Sequence, residues 1–205
     1  MTIVTRGLAL AAVVCLGMAA SSVAAPNAKA DVYAFDKSHT NITFSWIHLG
    51  LSRQSGRILD SEGSVDFDPA APESGSVAVT LKVASLWTGV DLLDKQLKSP
   101  DYFDAAQFPT VTFNSTAVKK TGDRTGEVTG DLTIMGQARP VPLTVTWNFT
   151  GEHPLAALNP IYQDKFVAGF TATAKILRSD WGIKRGTPLT SDEIEITINS
   201  ELFRK

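Results

Sequence analysis

One cysteine is present, Cys15, and it lies in the N-terminal apolar run, so nothing downstream of it can form a disulfide. Charge is balanced: 19 Lys and Arg stand against 21 Asp and Glu, a formal net charge of -2. The longest basic cluster is the pair Lys119–Lys120. Without a basic stripe the chain lacks the electrostatic footprint of a nucleic-acid partner. No Gly-x-Ser-x-Gly elbow occurs, and with it goes the usual nucleophile of Ser-His-Asp hydrolases. No catalytic residue is assigned. Histidine is sparse as well. His39 and His48 lie nine residues apart, His153 sits in the loop "GEHPLAALNP", and no third ligand is read beside any of them. The sequence therefore names no metal site and no cofactor.

Long hydrophobic runs are also missing after the first. "GLALAAVVCLGMAA", preceded by Arg6, is 14 residues long, too short to cross a bilayer as a helix. It reads as the apolar core of a secretory signal. Two small-x-small cleavage sites follow, "SVA" ending at Ala24 and "AKA" ending at Ala30. Ala30 is preferred because strand alternation begins directly after it, with Ala24 the alternative. The expected organisation is a leader, 1–30, and one domain, 31–205, of roughly 175 residues, enough to bury a sizeable core. No second run suits a membrane-spanning helix, so an integral membrane protein is not expected.

What remains is rich in alternation of period two. Ile42, Phe44, Trp46 and His48 share one side of a segment. So do Val77, Val79, Leu81 and Val83. Val128, Leu132 and Ile134 alternate with Glu127, Thr129, Asp131 and Thr133. In "VPLTVTWNFT" every odd position from Val141 to Phe149 is apolar. Phe166, Ala168, Phe170, Ala172, Ala174 and Ile176 form another face, and Ile194, Ile196 and Ile198 a last one. Each reads as an antiparallel strand with one wet side. Glycine-bearing links, "TGDRTG" and "MGQAR", separate them at hairpin length. With segments near 31–36 and 54–68, eight or nine strands are expected, in a two-sheet sandwich or a closed barrel. Faces that mix large and small residues favour a barrel with an internal apolar cavity, and eight strands is about the size that holds one small ligand.

One stretch breaks the period. Over residues 89–98, Val90, Leu93 and Leu97 fall at helical spacing, while Asp91 with Lys95 and Asp94 with Lys98 are i, i+4 pairs, and Pro100 ends the stretch. A short helix between two strands can close a barrel mouth or cover a sheet edge.

Five stretches in register complete the pattern: "HTNITFSWIHLG", "GSVDFDP", "LKSPDYFDAAQFPTVTF", "GDLTIMGQARPV" and "RSDWGI". Together they resemble the YceI-like family of bacterial polyisoprenoid-binding proteins, over about residues 31–204. The resemblance implies an all-β fold: an extended eight-stranded antiparallel barrel, lipocalin-like, holding an isoprenoid or other long-chain lipid. It also implies a periplasmic location. A binding protein rather than an enzyme is expected, with an enzyme acting on a bound lipid and a packed-barrel interaction module as the alternatives. A homodimer is left open.

The expected cavity lining combines the aromatics Phe44, Trp46, Phe113, Trp147, Phe170 and Trp181 with Val79, Leu81, Leu132 and Ile134. Around the helix it adds Trp87, Leu93 and Phe103. His48, at a strand end, is placed to hydrogen-bond a head group at the mouth. Arg178 and Asp180 read as a structural closure pair. Family members commonly carry polar or charged residues where Trp87, Leu93, Gln96 and Met135 stand here. That departure makes the polar end less cationic and favours a neutral head group, such as a quinone or fatty amide, over a pyrophosphate.

Overall fold

The computed structural model describes residues 30–205; the expected leader and both its cleavage sites, apart from Ala30 itself, lie outside the described residues. The chain forms β1 (Asp31–Phe35), β2 (Asn41–His48), β3 (Ser52–Ile58), β4 (Ser61–Phe67), β5 (Ser76–Lys82) and β6 (Leu86–Trp87). A helix, α1 (Asp91–Leu97), precedes β7 (Thr110–Lys120), β8 (Thr125–Ile134), β9 (Gln137–Glu152), β10 (Phe166–Leu177) and β11 (Glu193–Arg204).

These eleven segments make a closed eight-stranded antiparallel barrel. The ring runs β1-β4-β5-β7-β8-β9-β10-β11 and closes through β1 on β11. β2, β3 and β6 prolong β1, β4 and β5 past short breaks. Thus β11 pairs with β1 through Leu202–Arg204 and with β2 through Glu195–Asn199. The first break is an Asx turn: the Asp36 carboxylate accepts from the Ser38 amide at 2.8 Å. Such breaks explain why the sequence yields eight or nine strands where eleven segments occur.

Alternation determines what faces inward, with one correction. Phe149 does not continue the inward row of β9. Gly169 pairs with Phe149 while Phe170 pairs with Trp147, so Asn148 is an extra, bulged residue. Phe149 is thereby turned outward and is 41% exposed.

The two barrel ends differ. At the far end, with the 68–75, 121–124 and 153–165 loops, a group of inward residues packs into a cluster. Tyr33, Val65, Phe67, Ala168 and Leu202 are buried there. Phe67 meets Trp147 and Phe170 edge-on, each at a 5.1 Å centroid distance. At the helix end lie the 49–51 and 135–136 turns, the 178–192 loop and α1.

α1 covers this mouth. Leu93 and Leu97 pack with Trp46, Phe44, Ile58, Tyr102 and Phe103. Val90 is not on that stripe; it is the N-cap residue and is 55% exposed. Nor does Asp94 pair with Lys98. Its carboxylate turns inward and accepts from the Thr88 amide at 2.7 Å and the Thr88 hydroxyl at 2.6 Å. Two bonds to the preceding loop, in a buried setting, outweigh an exposed ion pair worth a few tenths of a kcal/mol.

Two glycines let aromatic rings lie against the wall. A Cβ at Gly56 would stand 2.5 Å from the Phe44 ring, and one at Gly130 would stand 2.5 Å from Phe113 Cζ and 2.6 Å from the Asn114 carbonyl. Because the second contact is backbone, it cannot swing away. Gly130→Ala should destabilise the barrel by about 1–3 kcal/mol, read by urea denaturation; an unchanged midpoint would refute the close-approach role.

Candidate functional site

The inward rows enclose a cavity of about 1060 Å³, at or above the roughly 300–1,000 Å³ of sites for drug-sized ligands. Its walls are hydrocarbon. β5 supplies Val79 and Leu81, β7 supplies Val111 and Phe113, and β8 supplies Val128, Leu132 and Ile134. β9 adds Val141, Leu143 and Val145, β10 adds Ala172 and Ile176, and β11 adds Ile194, Ile196 and Ile198. Near the helix end Phe44 stacks on Trp46 at 5.8 Å and meets Phe103 edge-on at 6.5 Å.

Of the residues expected to line a cavity, Phe44, Trp46, His48, Val79, Leu81, Leu93 and Phe103 border it, as do Phe113, Leu132, Ile134, Trp147, Phe170 and Trp181. Trp87 does not. β6 is two residues long, Leu86 takes the inward position at 1% exposure, and Trp87 therefore points outward at 48%. Sequence reasoning passed over Ile42, Ile58, Val77, Tyr102, Val111 and the three isoleucines of β11 as lining. Ile42, Val77 and Val111 share a strand face with residues already chosen, and the β11 isoleucines form an alternating row of their own, so the same alternation could have found these six.

Polar groups border the cavity at both ends: His48, Gln54, Gln96, Arg185 and Thr190 beside α1, and Lys119, Lys120, Asp123, Arg124 and Thr125 at the far end. The Gln96 amide donates to the Tyr102 hydroxyl at 3.4 Å, and Arg185 pairs with Asp101 at 2.7 Å. Arg178 also borders the cavity but is 7% exposed, and it is not paired with Asp180. Its Nε donates to the Ser191 carbonyl at 2.9 Å, Nη1 to the Ile183 and Arg185 carbonyls at 3.2 and 2.8 Å, and Nη2 to Thr187 Oγ1 and the Thr190 carbonyl at 2.8 and 3.1 Å. All five guanidinium donors are thus engaged by the loop they organise. The Asp180 carbonyl accepts instead from Arg139 at 2.6 Å. Trp181 fixes the neighbouring hairpin, its indole N–H reaching the Gln137 carbonyl at 2.9 Å and the Leu132 carbonyl at 3.2 Å.

His39 does have carboxylate neighbours, contrary to the sequence reading. Asp36, His39 and Glu201 bring three potential ligand atoms within 4.8 Å of one another. Asp36 stands three residues before His39, a signal visible in the chain, whereas Glu201 arrives only through the β11 pairing. The trio has the donor chemistry to hold a divalent cation, but the His39 Nδ1 is engaged by the Asp36 carboxylate at 2.8 Å. That hydrogen bond, with the charges of Asp36 and Glu201, raises the His39 pKa. Burial acts against the Asp36 carboxylate, but hydrogen bonds from His39 and Ser38 outweigh it and hold its pKa below the ordinary value. His153, by contrast, is stacked on Tyr162 at 3.8 Å.

The model of the family described as YceI-like domain matches residues 33–202. A UPF0312 protein of Pseudomonas savastanoi pv. phaseolicola is 36% identical over 192 residues, covering 93% of this chain and 95% of the relative. Among solved structures, Burkholderia cenocepacia BcnA superposes with a TM-score of 0.71 at 27% identity, over 82% of this chain and 98% of that one. A polyisoprenoid binding domain from Saccharophagus degradans, implicated in plant cell wall breakdown, superposes at 0.58 with 13% identity, over 86% of this chain and 100% of that one. That last likeness concerns the fold alone.

Two outcomes are expected. Arg178→Met, which strands at least four carbonyls of the 183–191 loop, should cost on the order of 3 kcal/mol or more, with Arg178→Lys recovering only part, in urea denaturation. In an NMR titration His39 should lose its proton above the ordinary value of 6.5. Its folded pKa is raised, so its contribution to stability is full below 6.5 and fades as pH rises through the folded value. Asp36→Asn should return the midpoint toward 6.5.

Proposed function

The chain belongs to the YceI-like family, and from its own barrel we propose that it is a non-catalytic carrier of a long-chain amphiphile in the periplasm.

 The ligand class is an isoprenoid or a similar single-tailed lipid, held for transport, storage or sequestration. The observation that carries this reading is the hydrocarbon-walled cavity of about 1060 Å³ running inside the barrel.

The energetics follow from the walls. Strands of ten to twelve residues span roughly 33–40 Å, the length of a long alkyl or prenyl chain. Each methylene buried contributes up to about 0.8 kcal/mol, so ten contribute roughly 8 kcal/mol before ordering costs. One hydrogen bond at the mouth is worth about 1 kcal/mol. The tail dominates affinity, and the polar mouth sets which way the molecule lies.

The mouth supports a neutral head group. Arg178 has its five donors engaged by its own loop, and Arg185 is paired with Asp101. Gripping a pyrophosphate at this mouth would break one or the other; the other cations bordering the cavity, Lys119, Lys120 and Arg124, lie at the far end. His48 and Gln96 remain as hydrogen-bonding groups beside the cavity, suited to a carbonyl or amide. The secretory leader read in residues 1–30 is the basis for the periplasmic assignment, and no helix among the described residues is long and apolar enough to cross a membrane.

Native mass spectrometry of protein purified from cells should show an added lipid mass. Ala172→Trp, which places an indole in the cavity, should cut lipid retention at least tenfold while the protein stays folded by circular dichroism. Full retention in that variant would refute an internal site. In competition, a prenol should bind as well as or better than its pyrophosphate; strong preference for the pyrophosphate would defeat the neutral-head reading.

A further inference from the structure

Large apolar side chains stand exposed around the mouth that α1 covers. Leu51 is 82% exposed, Leu92 79%, Leu189 70% and Leu49 47%. They come from three separate elements: the β2–β3 turn, α1 and the 178–192 loop. The turn and the loop touch directly, the Leu49 amide donating to the Leu189 carbonyl at 2.8 Å. Leu92 is flanked by Leu93, which borders the cavity, and the turn is flanked by His48, which borders it too.

Leu49 departs from local preference in a second way. Its φ is +55°, a left-handed conformation that glycine and asparagine adopt readily and a bulky residue does not. Both the backbone and the exposure of this position favour a small polar residue, yet leucine occupies it. Strain of this kind collects at functional sites.

The charges beside the rim carry both signs: Asp91 and Asp94 stand with Lys95 and Lys98 along α1 and its C-cap, and two ion pairs cross between elements. Arg53 pairs with Glu195 at 2.7 Å and Arg185 with Asp101 at 2.7 Å. A rim of this composition is suited to apolar insertion and offers little to an anionic surface by charge alone. Continuity with the cavity determines the occupant. A long hydrocarbon tail passing through water exposes each of its methylenes, at about 0.8 kcal/mol apiece; a mouth seated in a bilayer removes that exposure.

We propose that the helix end of the barrel docks on a lipid bilayer surface, with Leu49, Leu51, Leu92 and Leu189 entering the interface so that lipid passes between membrane and cavity without crossing water. This rests on the lipid-carrier reading for its purpose, but the docking is measured separately from cargo. The test uses the chain from residue 31 onward and vesicles of phosphatidylcholine, with or without phosphatidylglycerol. The protein should float with both vesicle types, with little dependence on salt. Its loading from vesicles carrying a fluorescent prenyl lipid should accelerate in proportion to vesicle concentration.

Leu51→Glu with Leu92→Glu and Leu189→Glu should lower both bound fraction and loading rate at least tenfold, leaving the thermal midpoint and the final lipid occupancy unchanged. Leu158→Glu with Ile161→Glu, at the far end, should change neither. Unaltered flotation in the rim variant would overturn the proposal, as would a loading rate independent of vesicle concentration or loss of docking in the far-end variant. So would conversion of a dimer to a monomer by the rim substitutions, which would make this face a contact between copies. Flotation without any lipid uptake would preserve docking and defeat the carrier reading; uptake without flotation would do the reverse.

Discussion

Closure of β1 on β11 is the constraint on which the rest depends. A sheet with one apolar face must cover that face, and this one does so by turning it inward on itself. Once the ring closes, every second residue of eight staves is committed to a common interior. That interior serves as a core to the strands and as a wall to whatever lies along the axis. Burial stabilises it, while the side chains chosen leave room. Alanines on β10, and glycines at 56 and 130 beneath the Phe44 and Phe113 rings, keep bulk against the wall.

Polarity is distributed in keeping with this division. At the far end Tyr33, Phe67, Leu202 and their neighbours form a packed cluster, beside which Lys119, Lys120, Asp123 and Arg124 border the cavity. The helix end is built from less regular pieces: a seven-residue helix, a strained turn and a loop held by a buried guanidinium. Arg178 illustrates how such a loop is kept. A cation at 7% exposure is tolerated because carbonyl oxygens and one hydroxyl take the place of water around it. Its role is architectural, and that is also why it is a poor anchor for a phosphate.

The barrel was largely legible in the chain because alternation survives folding: Ile42, Phe44 and Trp46, or Ile194, Ile196 and Ile198, face inward as their spacing requires. The misreadings have local causes. Phe149 was lost to a bulge, and Trp87 to a strand of two residues in which Leu86 holds the inner place. Asp94 left its expected helical partner for Thr88. Arg178 and Asp180, two apart, suggest a pair, yet several nearby carbonyls compete for the guanidinium more effectively than one exposed carboxylate.

By itself, then, the sequence determined the class of fold, the inward rows and the hydrocarbon character of whatever they surround, since each follows from the order of apolar and polar residues along a strand. Only the tertiary structure decided which end is covered by α1, that Glu201 joins Asp36 and His39, and that Leu49, Leu92 and Leu189 share one rim. Those are relations between residues far apart in the chain, and they exist only once strand pairing has fixed the register and closed the ring.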